Sequence, residues 1–325
     1  METTHHRGAT ELKLYRLWGC EGDKLPSVNK LLTQLLDGMV DYAGLFPPAK
    51  LELEAALAEF VGLKDDRSWM VDLFVCPSNK LQDLDALCRR KGIEGLGVSV
   101  IGNPLEEPDK TMASLERDIQ RMEGCVNLEF GAYEVKVSAH EDGPIHRALK
   151  AIDRAGLGEL VDDVYVEFAW NSHLEDSLHD LAAVNPNFGA KARTGGVTAE
   201  LFPSVADLAH FIHTAVSIEI PFKMTAGLHD PLRHMDSELG VHRHGFLNVC
   251  LASAFALAGD IPTSEIERIL TVEDGKLITL VDHRISVGGN DLAEQDIELF
   301  QDWFGGFGSC SVDEPVDGLK KLGYW

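Results

Sequence analysis

Two lysines are the residues of this chain whose type and spacing most directly point to chemistry. Lys191 lies in the extended segment Ala190–Thr194, and Lys223 lies in the extended segment Phe222–Thr225. The residues between them predict a helix capped by Ser204, so the whole stretch reads as a strand, helix, strand unit. In a parallel sheet this unit places both lysines at the carboxyl ends of neighbouring strands, where α/β enzymes build their sites.

Two lysine side chains held close together can carry out carbonyl chemistry. A second ammonium and partial burial both favour the neutral amine of the first lysine, and a neutral amine attacks a carbonyl carbon to form an imine. We therefore predict that Lys191 is the nucleophile and that Lys223 is the cation that activates it. The alternative is that both lysines only bind an anion such as phosphate.

Two glutamates on earlier predicted strands are candidates for moving protons. Glu134 and Lys136 share one face of the predicted strand Asn127–Ser138, as either a structural salt bridge or an acid and base awaiting substrate. Glu167 lies in the apolar strand Asp163–Trp170, where a carboxylate either pairs with a lysine or has a raised pKa. Both glutamates are therefore predicted catalytic residues beside the two lysines.

Residues near these strand ends are candidates for binding an anionic substrate. Arg193 shares a face with Lys191, and the turn Thr194-Gly195-Gly196 frees backbone N–H groups for an oxygen-rich ligand. Asp41 opens the first predicted strand and is either a substrate-binding carboxylate or a turn aspartate.

A histidine-rich segment after the second lysine supports a different hypothesis. His229, His234, His242 and His244 lie within sixteen residues of the polar loop Gly227–Gly245, which we expect to cover the site. Imidazole groups are common metal ligands, so His229, His234 and His244 are candidates for holding a divalent metal. The alternative is that they are exposed or hydrogen-bonded histidines with no metal.

Strand and helix patterns alternate along the chain and predict its fold. Strand candidates begin at Asp41, Met70, Gly95, Asn127, Asp163, Ala190, Phe222 and Phe304. Eight such strands predict a single α/β domain over residues 1–325, a (βα)8 TIM-type barrel. Within it we predict an N-terminal lead segment at 1–25 and an inserted element at 259–290, between the seventh and eighth strands.

Composition and charge limit the partners of the chain. Its 325 residues, 45% of them hydrophobic, suffice to fill a barrel core. A formal net charge of −24 argues against nucleic acid or an anionic membrane as a partner. The sequence has no run of about 18 apolar residues and no apolar core of a signal peptide, so we expect a cytoplasmic protein. A homo-oligomer is compatible with these properties.

The six cysteines include no C-x-x-C pair, so we expect reduced thiols rather than a disulfide framework or a thiolate zinc site. Cys310 lies in a small polar turn, Gly308-Ser309-Cys310-Ser311, where a reactive or ligand-facing role is one interpretation.

Three motifs in the C-terminal half resemble the signatures of class I aldolases of the deoxyribose-phosphate aldolase type. They are Lys191-Ala192-Arg193-Thr194-Gly195, Lys223, and Gly308-Ser309-Cys310-Ser311. The resemblance implies a Schiff-base lysine at Lys191, a perturbing lysine at Lys223, and a phosphate-holding turn at Ser309 and Ser311. It implies no cofactor. The chain as a whole also resembles a bacterial barrel family that shares the stretches DYAGLFPPA and TAGLH.

The sequence departs from the aldolase pattern in two respects. A long insertion separates the seventh strand from the eighth, and the catalytic aspartate of that family has no clear match, so Glu134 or Glu167 would replace it. We predict a lyase that processes a small anionic carbonyl compound through a lysine imine. The alternatives are a metal-dependent lyase or hydrolase that uses the histidines, and a non-catalytic barrel that binds a small molecule.

Overall fold

The computed structural model describes residues 29–63, 67–105, 110–137, 145–259, 261–281 and 283–324. The predicted lead segment at residues 1–25 lies outside these ranges. In chain order the strands of the described residues are β1 (Val40–Tyr42), β2 (Val71–Pro77), β3 (Leu96–Ile101), β4 (Leu128–Lys136), β5 (Asp163–Glu167), β6 (Gly189–Arg193), β7 (Phe222–Thr225), β8 (His234–Asp236), β9 (Val241–Arg243), β10 (Ile278–Val281), β11 (Arg284–Val287), β12 (Asn290–Leu292) and β13 (Phe304–Ser309).

The helices follow the strands in alternation. They are α1 (Lys30–Leu36), α2 (Leu53–Gly62), α3 (Leu81–Lys91), α4 (Thr111–Glu123), α5 (Ile145–Arg154), α6 (Leu174–Val184), α7 (Val205–Ser217), α8 (Phe246–Ala258), α9 (Thr263–Leu270), α10 (Glu294–Trp303) and α11 (Asp313–Lys321).

Eight strands close into a parallel barrel in the order β1, β13, β7, β6, β5, β4, β3, β2. Every neighbouring pair in this order is parallel. The predicted (βα)8 barrel is therefore confirmed. Because the strands are parallel, their carboxyl ends all lie at one end of the barrel, and the residues that end several strands can meet there.

Helix α7 shows how the sequence fixes the unit that carries the two lysines. The Ser204 hydroxyl accepts a hydrogen bond from the Asp207 N–H at 3.1 Å, and the Asp207 carboxylate accepts one from the Ser204 N–H, a reciprocal capping box. Leu208, Phe211 and Ile212 recur at helical spacing and are fully buried against the core. The unit β6, α7, β7 thus forms as the sequence predicts.

A short turn separates helix α1 from the first barrel strand. The helix ends at Leu36, and Val40 begins β1. Gly38 causes the break, because its φ of 64° lies in the left-handed region that a glycine adopts without strain.

The barrel interior contains a thin apolar layer. Leu73, Ala132 and Tyr165 form a small buried cluster that is separate from the main core between strands and helices. A Cβ added to Gly305 would lie 2.1 Å from the Tyr165 hydroxyl, so only a glycine on β13 leaves room for this ring. The Tyr165 ring of this layer lies beneath Lys223, one of the charged side chains described below.

The segment between β7 and β13 carries the additions to the barrel. Strands β8 and β9 pair as an antiparallel two-stranded sheet, and β10, β11 and β12 form an antiparallel three-stranded sheet. The predicted inserted element corresponds to α9 and this second sheet. Within the described residues, no helix is long and apolar enough to cross a membrane.

Candidate active site

Six charged side chains form one chain of ion pairs inside the barrel. They alternate in sign in the order Arg193, Glu167, Lys191, Glu134, Lys223 and Asp41. Three are cations and three are anions, so their formal charges cancel when all are ionised. Strands β1, β4, β5, β6 and β7 supply them, and the closed barrel brings these strands around one centre. We call these six residues the ion-pair chain.

Lys223 is the most enclosed member of the ion-pair chain. Its Nζ lies 2.5 Å from Asp41 Oδ2 and 2.6 Å from Glu134 Oε1, and its side chain is 1% exposed. The ammonium also lies 5.1 Å from the centre of the Tyr165 ring. Burial disfavours the charged form, but the two carboxylates outweigh burial and raise the pKa of Lys223 above its ordinary value. Lys223 is therefore a fixed cation at any physiological pH.

Lys191 lies beside Lys223, as the sequence predicts, but a carboxylate joins the two. The Cα atoms of Lys191 and Lys223 are direct partners across β6 and β7. Lys191 Nζ lies 2.6 Å from Glu134 Oε2 and 3.2 Å from Glu167 Oε2, and its side chain is 7% exposed. Glu134 thus contacts one ammonium with each of its oxygens. The sequence-based mechanism, which considers only repulsion between the lysines, lacks this bridging anion.

Glu134 is the centre of the ion-pair chain. Besides the two lysines, its Oε1 accepts a hydrogen bond from the Ser99 hydroxyl at 2.6 Å. Burial alone would raise the pKa of Glu134, but Lys191 and Lys223 together hold it well below its usual range. Lys136, the predicted partner on the same strand, is exposed at the end of β4, so Glu134 pairs across the barrel instead.

Glu167 and Arg193 form the outer end of the ion-pair chain. Glu167 Oε1 accepts a hydrogen bond from Arg193 Nε at 3.1 Å. Burial opposes ionisation of Glu167, but Lys191 and Arg193 reverse that effect and lower its pKa. Of the two alternatives that the sequence leaves open, pairing with a lysine is therefore correct. The Arg193 side chain is 34% exposed, more than that of any other member of the ion-pair chain. Of the three cations in this group, Arg193 is thus the one with substantial access to solvent.

Asp41 forms the inner end. It is buried, and besides Lys223 its Oδ1 accepts a hydrogen bond from the backbone N–H of Leu73 at 3.3 Å. Burial raises the pKa of Asp41 to about 6, since it outweighs the attraction of Lys223, and the nearby carboxylates of Asp72 and Glu134 act in the same direction. Asp41 is therefore a carboxyl group inside the barrel that can exchange a proton near neutral pH.

The predicted anion-binding turn after β6 connects two strand ends. Thr194 is fully buried, and its hydroxyl donates to the carbonyls of Thr225 at 3.1 Å and Ala226 at 2.5 Å. A Cβ on Gly195 would lie 3.0 Å from the Cα of Gly227, so glycine is required where these two turns touch. The Thr194 side chain therefore holds backbone in place.

Gly196 and the two serines of the turn after β13 also make contacts within the protein. A Cβ on Gly196 would meet the side chain of Leu201 at 2.3 Å. The Ser309 hydroxyl donates to the carbonyl of Ser311 at 2.6 Å, and the Ser311 hydroxyl accepts from the N–H of Glu314 at 3.3 Å. The role of Ser309 and Ser311 in holding phosphate stays a prediction.

The three histidines predicted as metal ligands lie apart from one another. His229 pairs with Glu314, His234 contacts Asp230, and His244 is buried against a backbone carbonyl. Among the described residues, no group of three or more His, Cys, Asp or Glu side chains is placed to hold a metal ion. Burial lowers the pKa of His244, which keeps its ring neutral.

Sequence reasoning missed two contributors to the site. Ser99 lies in the apolar run of β3, where a single hydroxyl is the only signal, and its inward direction depends on the barrel register. Tyr165 lies two residues before Glu167 on the same strand face and forms the surface beneath Lys223. The inward direction of both side chains follows from the alternation of residues along a strand, once the neighbouring strands are known.

No protein-family model matches the sequence, and no curated protein matches it either. The residues and their geometry therefore carry the functional argument.

Proposed function

We propose that the protein is a class I aldolase-like carbon–carbon lyase, or a related enzyme that processes a carbonyl substrate through an imine on Lys191. The observation that carries this proposal is the pair of lysines in register on β6 and β7, with Glu134 between them. A stable barrel core does not need two buried lysines, whereas imine chemistry needs one reactive amine and groups that move protons beside it.

The contrast between the two lysines supports Lys191 as the nucleophile. Lys223 is held by two carboxylates and keeps its proton, so its amine is not available to attack. Lys191 lies between Glu134 and Glu167, and the Glu167 carboxylate also contacts the partly exposed Arg193. Lys191 is thus the lysine nearer to the exposed end of the ion-pair chain, and its 3.2 Å contact with Glu167 is longer than either carboxylate contact of Lys223.

The proposed steps follow from these contacts. A proton passes from Lys191 Nζ to Glu167 or Glu134, and the neutral amine attacks the carbonyl carbon to form a carbinolamine. The same carboxyl group returns the proton to the departing hydroxyl, which leaves as water, and the iminium forms. As a carboxylate removes the proton of the β-hydroxyl, the carbon–carbon bond breaks, its electron pair passes to the iminium to give an enamine, and the new carbonyl product leaves. Protonation of the enamine carbon and hydrolysis of the imine by water then release the second product and free Lys191. Lys223 stays positive and holds the Glu134 carboxylate in position.

The substrate is proposed to be small and anionic. Arg193 presents a guanidinium at the outer end of the ion-pair chain, and an arginine fork matches a carboxylate or phosphate. When a substrate anion accepts hydrogen bonds from this guanidinium, the ion pair between Arg193 and Glu167 weakens. Glu167 is then better able to accept a proton, so substrate binding and proton transfer are coupled.

Reductive trapping tests the proposal. The protein is incubated with a panel of small aldehydes and ketones bearing carboxylate or phosphate groups, including pyruvate and glyceraldehyde 3-phosphate, together with sodium cyanoborohydride. Peptide mass mapping should place the reduced adduct on Lys191. Lys191→Arg keeps the charge but cannot form the imine, so it should abolish trapping. Lys223→Arg keeps the fixed cation and should retain some trapping.

Lys136→Arg is the matched control, because Lys136 is an exposed lysine at the end of β4, the strand that carries Glu134. It should trap as the wild type does. Trapping of Lys191→Arg at the wild-type level, or an adduct on Lys136 as readily as on Lys191, would show that the lysines only bind anions.

A further inference from the structure

A second group of reactive side chains lies at the same end of the barrel, outside the ion-pair chain. Cys310 follows directly after β13, and its Sγ lies 3.9 Å from His229 Nε2. His229 Nδ1 lies 2.7 Å from Glu314 Oε2. The thiol thus contacts the imidazole, and the imidazole contacts the carboxylate. This is the order found where a base activates a nucleophile and a carboxylate orients the base.

The contacts select the tautomer of the imidazole. A carboxylate only accepts hydrogen bonds, so the Glu314 contact places the proton of the neutral ring on Nδ1. The lone pair of Nε2 then faces the Cys310 thiol. Burial raises the pKa of the Cys310 thiol, and the neighbouring carboxylates of Glu314 and Glu59 act in the same direction. The sulfur therefore keeps its proton at rest, and His229 must remove it as the sulfur attacks.

The backbone around this group holds it in place by specific contacts. His229 follows a turn in which Ala226 has a φ of 65°, in the left-handed region that favours glycine. The Thr194 hydroxyl fixes this turn by donating to the Ala226 carbonyl. On the other side, Ser311 accepts from the N–H of Glu314 and so fixes the first turn of α11. The backbone that carries His229 and the backbone that carries Glu314 are therefore both held in place.

A cavity of about 420 Å³ lies between α2 and the start of α11. Its lining includes Glu59, whose charge acts on Cys310, and also Val312 and Asp313, which lie between Cys310 and Glu314 in the sequence. The lining is part apolar and part charged, with Leu63 and the ion pair of Arg67 and Asp313. Cys310, His229 and Glu314 do not themselves line this cavity, which reaches the group through the segment that joins Cys310 to Glu314.

We propose that Cys310, His229 and Glu314 form an acyl-transfer site that takes small carboxylic esters, distinct from the imine chemistry of Lys191. His229 Nε2 takes the thiol proton as the sulfur bonds to the acyl carbon. The tetrahedral adduct collapses with breakage of the ester C–O bond, and the imidazolium gives its proton to the departing alcohol. Water, deprotonated by His229, then attacks the thioester, and the carboxylic acid and the free thiol are released. Glu314 is a positioning residue, since it acts through His229.

Acetylation by p-nitrophenyl acetate tests this proposal. The wild-type chain should release a burst of about one p-nitrophenolate per chain, and peptide mass mapping should place one acetyl group on Cys310. Cys310→Ala should lose the burst. His229→Gln should slow acetylation of Cys310 by about 100-fold or more, the usual contribution of a general base. Cys125, a partly exposed cysteine without a histidine contact, is the internal control.

Glu314→Gln tests the positioning role and is expected to fold, because Glu314 is 60% exposed. It should slow acetylation of Cys310, whereas Glu314→Asp, which keeps a carboxylate, should retain part of the rate. Asp317→Asn, an exposed acid on the same helix, should leave the rate unchanged.

Acetylation of Cys125 as fast as Cys310, a burst retained in Cys310→Ala, or an unchanged rate in His229→Gln would overturn the proposal. If His229→Gln does not fold, an unchanged rate of acetylation in Glu314→Gln overturns it instead. Acetylation of Cys310 and trapping at Lys191 are read on different peptides, so either can fail while the other stands.

Discussion

Replacement of Glu134 by glutamine tests whether the ion-pair chain depends on its central carboxylate. Glu134 accepts three contacts at 2.6 Å, from Lys191, Lys223 and Ser99. Glutamine has the same shape but no charge, and its amide NH₂ would face one of the two ammoniums. Glu134→Gln therefore removes the anion between two buried cations and leaves their repulsion uncompensated.

The expected loss of stability can be estimated from these contacts. Removal of one partner of a buried ion pair costs about 3–5 kcal/mol. Glu134 serves two lysines, which favours a larger loss, but Lys191 retains Glu167 and Lys223 retains Asp41, which limits it. We therefore expect a loss of about 4 kcal/mol in the free energy of unfolding. With a urea slope of about 3 kcal/mol per molar, the midpoint should fall by roughly 1–1.5 M.

The pH dependence of this loss has a defined sign. The pKa of Glu134 is lowered in the fold, so its stabilising effect is fully present above the ordinary value of 4.5 and is lost as the pH falls through the lower folded value. The difference between the wild type and Glu134→Gln should therefore shrink as the pH falls below about 4.5, beneath the interval in which Asp41 titrates.

Urea unfolding followed by circular dichroism measures the difference. Glu129→Gln is the matched control, because Glu129 is an exposed glutamate on the same strand, and it should change stability by less than about 0.5 kcal/mol. A loss in Glu134→Gln no larger than that of the control would refute the conclusion that Glu134 holds the two lysines together. A difference that does not shrink below about pH 4 would refute the direction of the pKa shift of Glu134.

Two further predictions concern Asp41 and the cap of α7. Because burial raises the pKa of Asp41 from 3.8 to about 6, the folded state binds the extra proton in this interval. The wild type should lose roughly 3 kcal/mol relative to Asp41→Asn as pH rises from about 4 to about 7, measured by urea unfolding at both ends. An unchanged difference would contradict the burial of an ionised Asp41. Ser204→Ala removes the capping box and should lower the free energy of unfolding by about 1 kcal/mol, whereas no loss would show that the cap is redundant.

The sequence contains enough local information to predict the barrel and the meeting of the two lysines. The capping box at Ser204 and the apolar spacing of α7 fix a strand, helix, strand unit, and a right-handed crossover then makes β6 and β7 neighbours. The alignment of Lys191 with Lys223 follows from that unit. Contacts within one such unit can be predicted because the chain between them is short and its periodicity is clear.

The partner of Lys223 could not be predicted in the same way. Asp41 lies 182 residues from Lys223 in sequence, and β13 stands between their strands. Their contact therefore depends on closure of the barrel, which no local pattern encodes. A salt bridge between Glu134 and Lys136 is one of the two alternatives that the sequence leaves open, and Glu134 instead pairs with Lys191 and Lys223. Two residues on one strand face compete with every residue that faces them across the barrel.

The apolar layer of Leu73, Ala132 and Tyr165 shows that this barrel can fill its interior with hydrophobic side chains. A buried network of ions is often no more stable than well-packed apolar residues of similar volume, since the loss of hydration offsets much of the attraction. Stability alone therefore does not explain six charged side chains at the level where the strands approach their carboxyl ends. Alternating acids and bases within about 3 Å of one another do allow a proton to pass from one group to the next. The ion-pair chain therefore fits the proton transfer that we propose at Lys191.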